Sequence, residues 1–318
     1  MPEFARIQDW HDYINQCRQE NKSLDGVTLF NLRKECYSKI EKHLNRSLII
    51  YATKIVAVNV PNYIDIGDVD GFTDLVNSIS KEKKEIAVMI HSPGGFPDAT
   101  ERIVNILRNR FDDVIYLIPH SAYSAATMLA MSGNKIIFHP SAAIGPIDPQ
   151  IGGIPARTFK RGFEKIKQKI VEEGPKSLPV YIPLLEKYSI ELLELCDDAE
   201  KLSKELVSNW LEQYMFSNSK DKKNNERIKK IVDYISDYDT HLIHSRSLST
   251  EKLAELGLKI EVADEDLRKY LWEAYILING FFEITAFVKL YESSTGISWG
   301  RQFVQPAVQQ NVIQSENR

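Results

Sequence analysis

The chain has 318 residues, 43% hydrophobic, 26% charged and 10% aromatic; these values exclude a wholly disordered, collagen-like or low-complexity polymer. Lys and Arg number 40 against 44 Asp and Glu, a formal charge of −4, so no basic excess advertises a nucleic-acid partner. Cys17, Cys36 and Cys196 are too few and too scattered for a disulfide framework or a structural zinc site.

Residues 1–20 are polar and lack the apolar core of a signal peptide. The longest apolar candidate, residues 48–60, is interrupted by Lys54 and falls short of the roughly 20 residues that span a bilayer. The expectation is a cytoplasmic protein with no transmembrane segment. No cofactor is expected, and as the sequence holds no phosphate-binding P-loop, any ATP-driven unfolding of substrate would have to come from a partner.

Residues 1–46 read as a helical segment broken around 23–26. Leu29, Leu32, Cys36, Ile40 and Leu44 recur every three to four residues, the buried stripe of a helix that packs on the next domain or on another subunit. From Ser47 the pattern changes. Residues 47–60 are rich in Ile, Val, Tyr and Ala and predict one buried strand or two short ones. Phe72, Leu75, Val76 and Ile79 give residues 68–80 one apolar helical face, and the charged run 81–85 reads as a solvated loop. Strands are expected at 85–91, 114–119 and 135–138. Between them lie a helix capped by Asp98 and a buried helix of small residues over 124–131. This alternation predicts an α/β core with a largely parallel sheet, residues 47–155. Residues 156–295 form a mostly helical extension able to complete that core, with helical periodicity at 164–172, 180–198, 199–216 and 267–291. Residues 220–230 read as a solvated basic linker and 296–318 as a flexible tail.

Three segments exceed what packing requires. His91-Ser-Pro-Gly-Gly95 ends a buried strand; paired glycines there allow positive φ and close approach of a ligand, and their N–H groups suit an anion or a developing oxyanion. A plain turn would look the same. In Pro119-His-Ser-Ala-Tyr-Ser-Ala-Ala-Thr-Met128 a strand runs through a tight turn into a helix. Ser124 falls at the start of that helix, either as a simple N-cap or as a nucleophile on an elbow whose next N–H, that of Ala125, faces the same space. Ser121 competes but precedes the turn. In Ser141-Ala-Ala-Ile-Gly-Pro-Ile-Asp-Pro-Gln150 Asp148 is a turn residue or a site carboxylate, with the turn reading preferred.

Together and in this order, the HSPGG, SAATM and GPIDPQ segments resemble the serine dehydrogenase proteinase family, which belongs with Clp peptidases, signal peptide peptidases and crotonases. The resemblance is close over residues 47–150 and looser over 184–216 and 242–260. It implies a Clp/crotonase-like layered parallel sheet with helices, followed by a helical extension, and a serine-type peptidase acting on peptide or unfolded protein substrates as a homo-oligomer. The helices within 1–46 and 180–216 would supply apolar faces for self-association. Carried over, Ser124 matches the nucleophile, Gly94 and Gly95 the glycine pair of the oxyanion hole, and Ala125 its other donor.

The base is where the chain departs from its better-known relatives. Gly145 and Pro146 stand near the place of the Clp histidine. Signal peptide peptidases use a later lysine, which points to Lys165, with Lys160 and Lys167 as neighbours. His244 is the alternative base, in a stretch reading His244-Ser-Arg-Ser-Leu248 where the family carries a His-Asp-Tyr-Pro-Ile type segment. The rival to a peptidase is a catalytically silent scaffold of the same fold that binds a peptide or an acyl ligand.

Overall fold

The computed structural model describes residues 3–57, 59–217 and 222–304. In chain order, α1 (Ile7–Gln19) and α2 (Gly26–Leu44) precede β1 (Ser47–Thr53), and then α3 (Asp68–Asn77), β2 (Glu85–His91), α4 (Pro97–Arg110) and β3 (Asp113–Ile118) alternate. The short β4 (Ser121–Ala122), α5 (Ala125–Met131), β5 (Lys135–Phe138), β6 (Ala143–Ile144), β7 (Gln150–Ile151) and β8 (Ile154–Pro155) follow. Next come α6 (Ala156–Glu173), α7 (Leu178–Leu185), α8 (Ile190–Trp210), α9 (Lys222–Ser236), α10 (Tyr238–His241) and α11 (Thr250–Glu255). The described chain closes with β9 (Ile260–Val262), α12 (Glu265–Ile284), β10 (Phe287–Ser293) and β11 (Ser298–Gln302).

Among the described residues seven strands form one sheet in the order β11-β10-β1-β2-β3-β5-β9. From β1 to β9 the pairing is parallel, whereas β10 and β11 add an antiparallel edge. Both faces are covered, which is why the central strands are apolar almost throughout. With side chains alternating at period two, Ile49, Tyr51, Val88, Ile90, Tyr116 and Ile118 join α3, α4, α5, α8 and α9 in one core. Leu48, Ile50, Met89, Leu117 and Ile137 join α1, α2 and α12 in the other. The layered α/β architecture is therefore present.

Several boundaries differ from expectation. The helix expected over 267–291 ends at Ile284, and Phe287–Ser293 is a strand; Val288, Leu290 and Tyr291 are all buried, so the apolar run carried no clear period. Residues 222–230, expected as a linker, begin the amphipathic α9, whose Ile228, Ile231, Val232 and Ile235 are buried; residues 220 and 221 lie outside the described residues. Ser298–Gln302, expected in the tail, is an edge strand, and residues 305–318 lie outside the described residues. The helix after β2 starts at Pro97 with Phe96 as its N-cap, and Asp98 sits in its first turn. The stripe of α2 lies on this chain's own sheet: Arg33 and Tyr37 reach the buried Glu292 carboxylate of β10 at 2.7–2.9 Å, so this face is not free for a second subunit.

Candidate active site

At the carboxyl ends of β2, β3 and β5 the chain leaves the main sheet and forms a second, smaller ladder. Ser92 N–H donates to Ser121 C=O at 3.0 Å and Tyr123 N–H returns to Ser92 C=O at 3.1 Å. On the far side Ala143 N–H bonds His120 C=O at 2.7 Å, and Gly145 N–H bonds Ala122 C=O at 3.0 Å. Thr127 Oγ1 ties this side together by donating towards Ala122 C=O and Gly145 C=O at 2.9 and 2.8 Å. Three sequence segments that looked chemical are thus neighbouring strands of one ladder.

Ser124 sits at φ 53°, ψ −122° as the N-cap of α5, and its side chain makes no capping hydrogen bond. A positive φ at a residue carrying a Cβ is uncommon and costs about 1–3 kcal/mol. No cap bond accounts for this conformation, and a strained strand–turn–helix corner of this kind is what a nucleophile elbow requires. Ala125 is the first residue of α5, so its N–H has no intrahelical acceptor.

Gly94 adopts φ 101°, and a Cβ there would meet Tyr123 C=O and Ser124 Cβ. A Cβ on Gly95 would collide with the backbone of Ile64. In the parallel bridge between Ile64 and Gly95, Ile64 bonds Gly94 C=O at 2.6 Å and Phe96 N–H at 2.9 Å. The N–H of Gly95 therefore points away from Ile64. Gly94 N–H donates to Ser92 Oγ at 3.2 Å and is thus already engaged within its own turn.

Asp148 is buried, and its Oδ1 lies 2.9 Å from His244 Nδ1, while Gln150 Nε2 donates to its Oδ2 at 3.1 Å. With a carboxylate as acceptor, Nδ1 carries the proton and Nε2 is left with its lone pair. His244 is partly exposed, and together with Ser124, Gly94 and Gly95 it lines a cavity of about 890 Å³. Tyr63, Phe96, Met128, Ile147, Leu195 and Leu202 make most of that wall apolar. Among the described residues no group of three His, Cys, Asp or Glu side chains is placed to hold a metal ion.

Of the residues expected from the sequence, Ser124, Gly94, Gly95, Ala125 and His244 come together here. Lys165 does not. It is exposed on α6, a helix whose sole buried residue is Ala156, and it is absent from the cavity wall; a dyad lysine must be stripped of water, and this one is not. Lys160 is engaged by Asp197 and Glu200, and Lys167 is exposed. Ser121 Oγ is taken by His120 Nδ1 at 2.7 Å. Sequence reasoning undervalued Asp148, for its partner His244 lies 96 residues away and no local spacing links them. It missed Ile64 altogether, which has no chemistry of its own and acts only through its backbone.

A family model of ClpP-like SDH-type serine proteinases matches residues 23–182, half of the chain. Over 233 residues the chain is 27% identical to the uncharacterized protein MJ1495 of Methanocaldococcus jannaschii, a match covering 72% of this chain and 71% of that one. A second uncharacterized protein of the same organism, MJ0137, is 26% identical over 207 residues, covering 65% and 64%, so the chain spans just under two thirds of it. Among solved structures, a mutant of the 1510-N membrane-bound stomatin-specific protease aligns at a TM-score of 0.37 and 18% identity, covering 64% of this chain and 76% of that one.

Proposed function

The chain belongs to the ClpP-like SDH-type serine proteinases, and from that premise we propose that it hydrolyses peptide bonds by acyl transfer to Ser124. His244 is the general base, Asp148 orients it, and the N–H groups of Gly95 and Ala125 form the oxyanion hole. What carries this is the 2.9 Å Asp148–His244 hydrogen bond on the cavity that also holds the uncapped, positive-φ Ser124. A serine hydroxyl is a poor nucleophile until a neighbour removes its proton. His244 Nε2 takes that proton as Oγ attacks the carbonyl carbon. The tetrahedral oxyanion is met by two N–H donors fixed in advance. The imidazolium then gives its proton to the leaving amine, and water repeats the sequence on the acyl-enzyme.

The apolar wall suits an extended, apolar stretch of peptide. Self-association belongs to the same proposal: the exposed Val180, Ile182, Leu184 and Ile190 of α7 and α8 offer an apolar surface to a second copy, and Val180→Asp should lower the sedimenting mass relative to wild type.

A fluorophosphonate probe decides between this proposal and a silent scaffold. Wild type should label and hydrolyse an apolar peptide. Ser124→Ala should do neither, His244→Ala should lose turnover by several orders of magnitude, and Lys165→Ala should match wild type. Labelling that survives in Ser124→Ala, or full turnover by His244→Ala, overturns the assignment. A wild type that never labels favours the scaffold.

A further inference from the structure

On the face of the sheet opposite α5, three strand ends carry a histidine: His91 closes β2, His120 follows β3 and His139 follows β5. One turn of α12, carrying Trp272 and Tyr275, lies beneath them. His120 stacks on Tyr275 at 4.4 Å between centroids and 6° between planes. His91 stands edge-on to both, 5.6 Å from His120 and 5.2 Å from Tyr275. His139 stacks on Trp272 at 5.1 Å and 18°, and Trp272 meets Tyr275 at 5.1 Å. Five rings from four elements form one continuous layer.

The three strand ends are the ones that lead into the oxyanion turn, the serine turn and the Asp148 turn. We propose that His91, His120 and His139, interleaved with Trp272 and Tyr275, are a positioning layer that holds these three turns in register with one another. The catalytic consequence rests on the function proposed above; the layer itself does not. Two observations argue against ordinary filling. Higher up, the same face of the sheet is aliphatic, with Ile50, Met89, Leu117 and Ile137, and aliphatic packing sets no direction. Stacked and edge-on rings do, because their quadrupoles favour particular angles. In addition, His91 Nδ1 is buried without a hydrogen-bond partner, an arrangement that costs free energy and that a leucine would avoid. His91 and His120 lie within one residue of the ladder, where Ser92 N–H bonds Ser121 C=O and His120 C=O accepts from Ala143 N–H, and His139 C=O accepts from the neighbouring Ala142 N–H. A ring that tilts therefore moves its neighbour's turn as well as its own.

Amide hydrogen exchange of the full chain tests this independently of catalysis, read at residues 92–96, 121–126 and 143–148. His120→Ala should speed exchange at all three turns together, by about tenfold for the loss of one ring stack, with β1 unchanged. His120→Phe, which keeps a planar ring, should restore all three. In turnover assays the alanine variant should lose kcat with KM nearly constant, and the phenylalanine variant should recover it. If only 121–126 responds, or if phenylalanine does not rescue, the layer is not a positioning device. Should His120→Ala fail to fold, Tyr275→Leu removes the shared ring from the helix side and is read the same way. A wild type without turnover would sink the peptidase proposal, while the exchange pattern would still decide the layer.

Discussion

Ser124, Asp148 and His244 each depart from what folding alone would choose. Ser124 is held at positive φ without a cap bond. Asp148 is buried, which is costly for a carboxylate unless donors reach it, and its donors are His244 and Gln150. If Asp148 fixes the imidazole with its proton on Nδ1, Asp148→Asn should turn the ring around, because the amide can donate where the carboxylate only accepts. The expected result is a fall in kcat of about 10⁴-fold with KM and thermal midpoint little changed. A variant within tenfold of wild type would leave Asp148 as a turn residue, as its place between Ile147 and Pro149 first suggests. The serine and the glycines were legible because strand, turn and small-residue helix are contiguous in sequence. Asp148 and His244 were legible only as open alternatives, since they are 96 residues apart and only the fold brings them within 2.9 Å.

At the scale of elements, Gly95 is kept in place by a segment with no catalytic residue. Ile64 pairs with it, and the stretch around Ile64 is anchored by a buried ionic knot. Lys289 of β10 donates to Asp65 at 2.7 Å and to Asp68 at 2.9 and 3.0 Å. Tyr51 and Tyr291 also donate to the Asp68 carboxylate, whose Oδ2 accepts Asp65 N–H at 2.8 Å. Removing one member of such a pair leaves a buried charge uncompensated, at about 3–5 kcal/mol. Lys289→Met should therefore lower the urea midpoint substantially. Lys289→Met combined with Asp68→Asn should recover much of the loss. A double variant no better than the single would mean that the knot is not coupled in this way. This antiparallel edge was the least legible part of the fold. Residues 287–291 continue the apolar run of α12, and a strand buried on both faces has no period to distinguish it from a helix. The amphipathic α9 was hidden for another reason: its basic first turn masks a stripe that begins only at Ile228.

The whole molecule divides its sheet between two tasks, with the serine turn and its cavity towards α5 and α8, and the histidine layer towards α12. Burial pushes the His91 imidazole from its ordinary 6.5 down to about 3, with His120 adding to the effect. Burial also lowers His120, and it lowers His139, which lies beside Arg268 and His120 as well. The Ser121 backbone faces His91, Ser121 Oγ faces His120 and Ser141 N–H faces His139; His139 also shares a cavity with Arg268, Lys39, Lys269, Glu3 and Glu273, and among the described residues none of the three rings is ion-paired to a carboxylate. The folded state thus favours three neutral rings, whereas the unfolded chain protonates them near 6.5. For His91 the contribution to stability is complete above about 6.5 and is lost as pH falls from there towards 3, because the unfolded state then binds more protons; His120 and His139 act in the same direction. Each ring that stays neutral in the fold adds a slope of about 1.4 kcal/mol per pH unit in that window. Urea unfolding of the wild type should show the midpoint falling steeply from pH 6.5 to pH 4, and His91→Phe, which keeps an edge-on ring but cannot take up a proton, should shallow the slope by about one proton. An identical slope in the two proteins would mean that His91 is protonated in the fold, and the neutral layer would have to be abandoned.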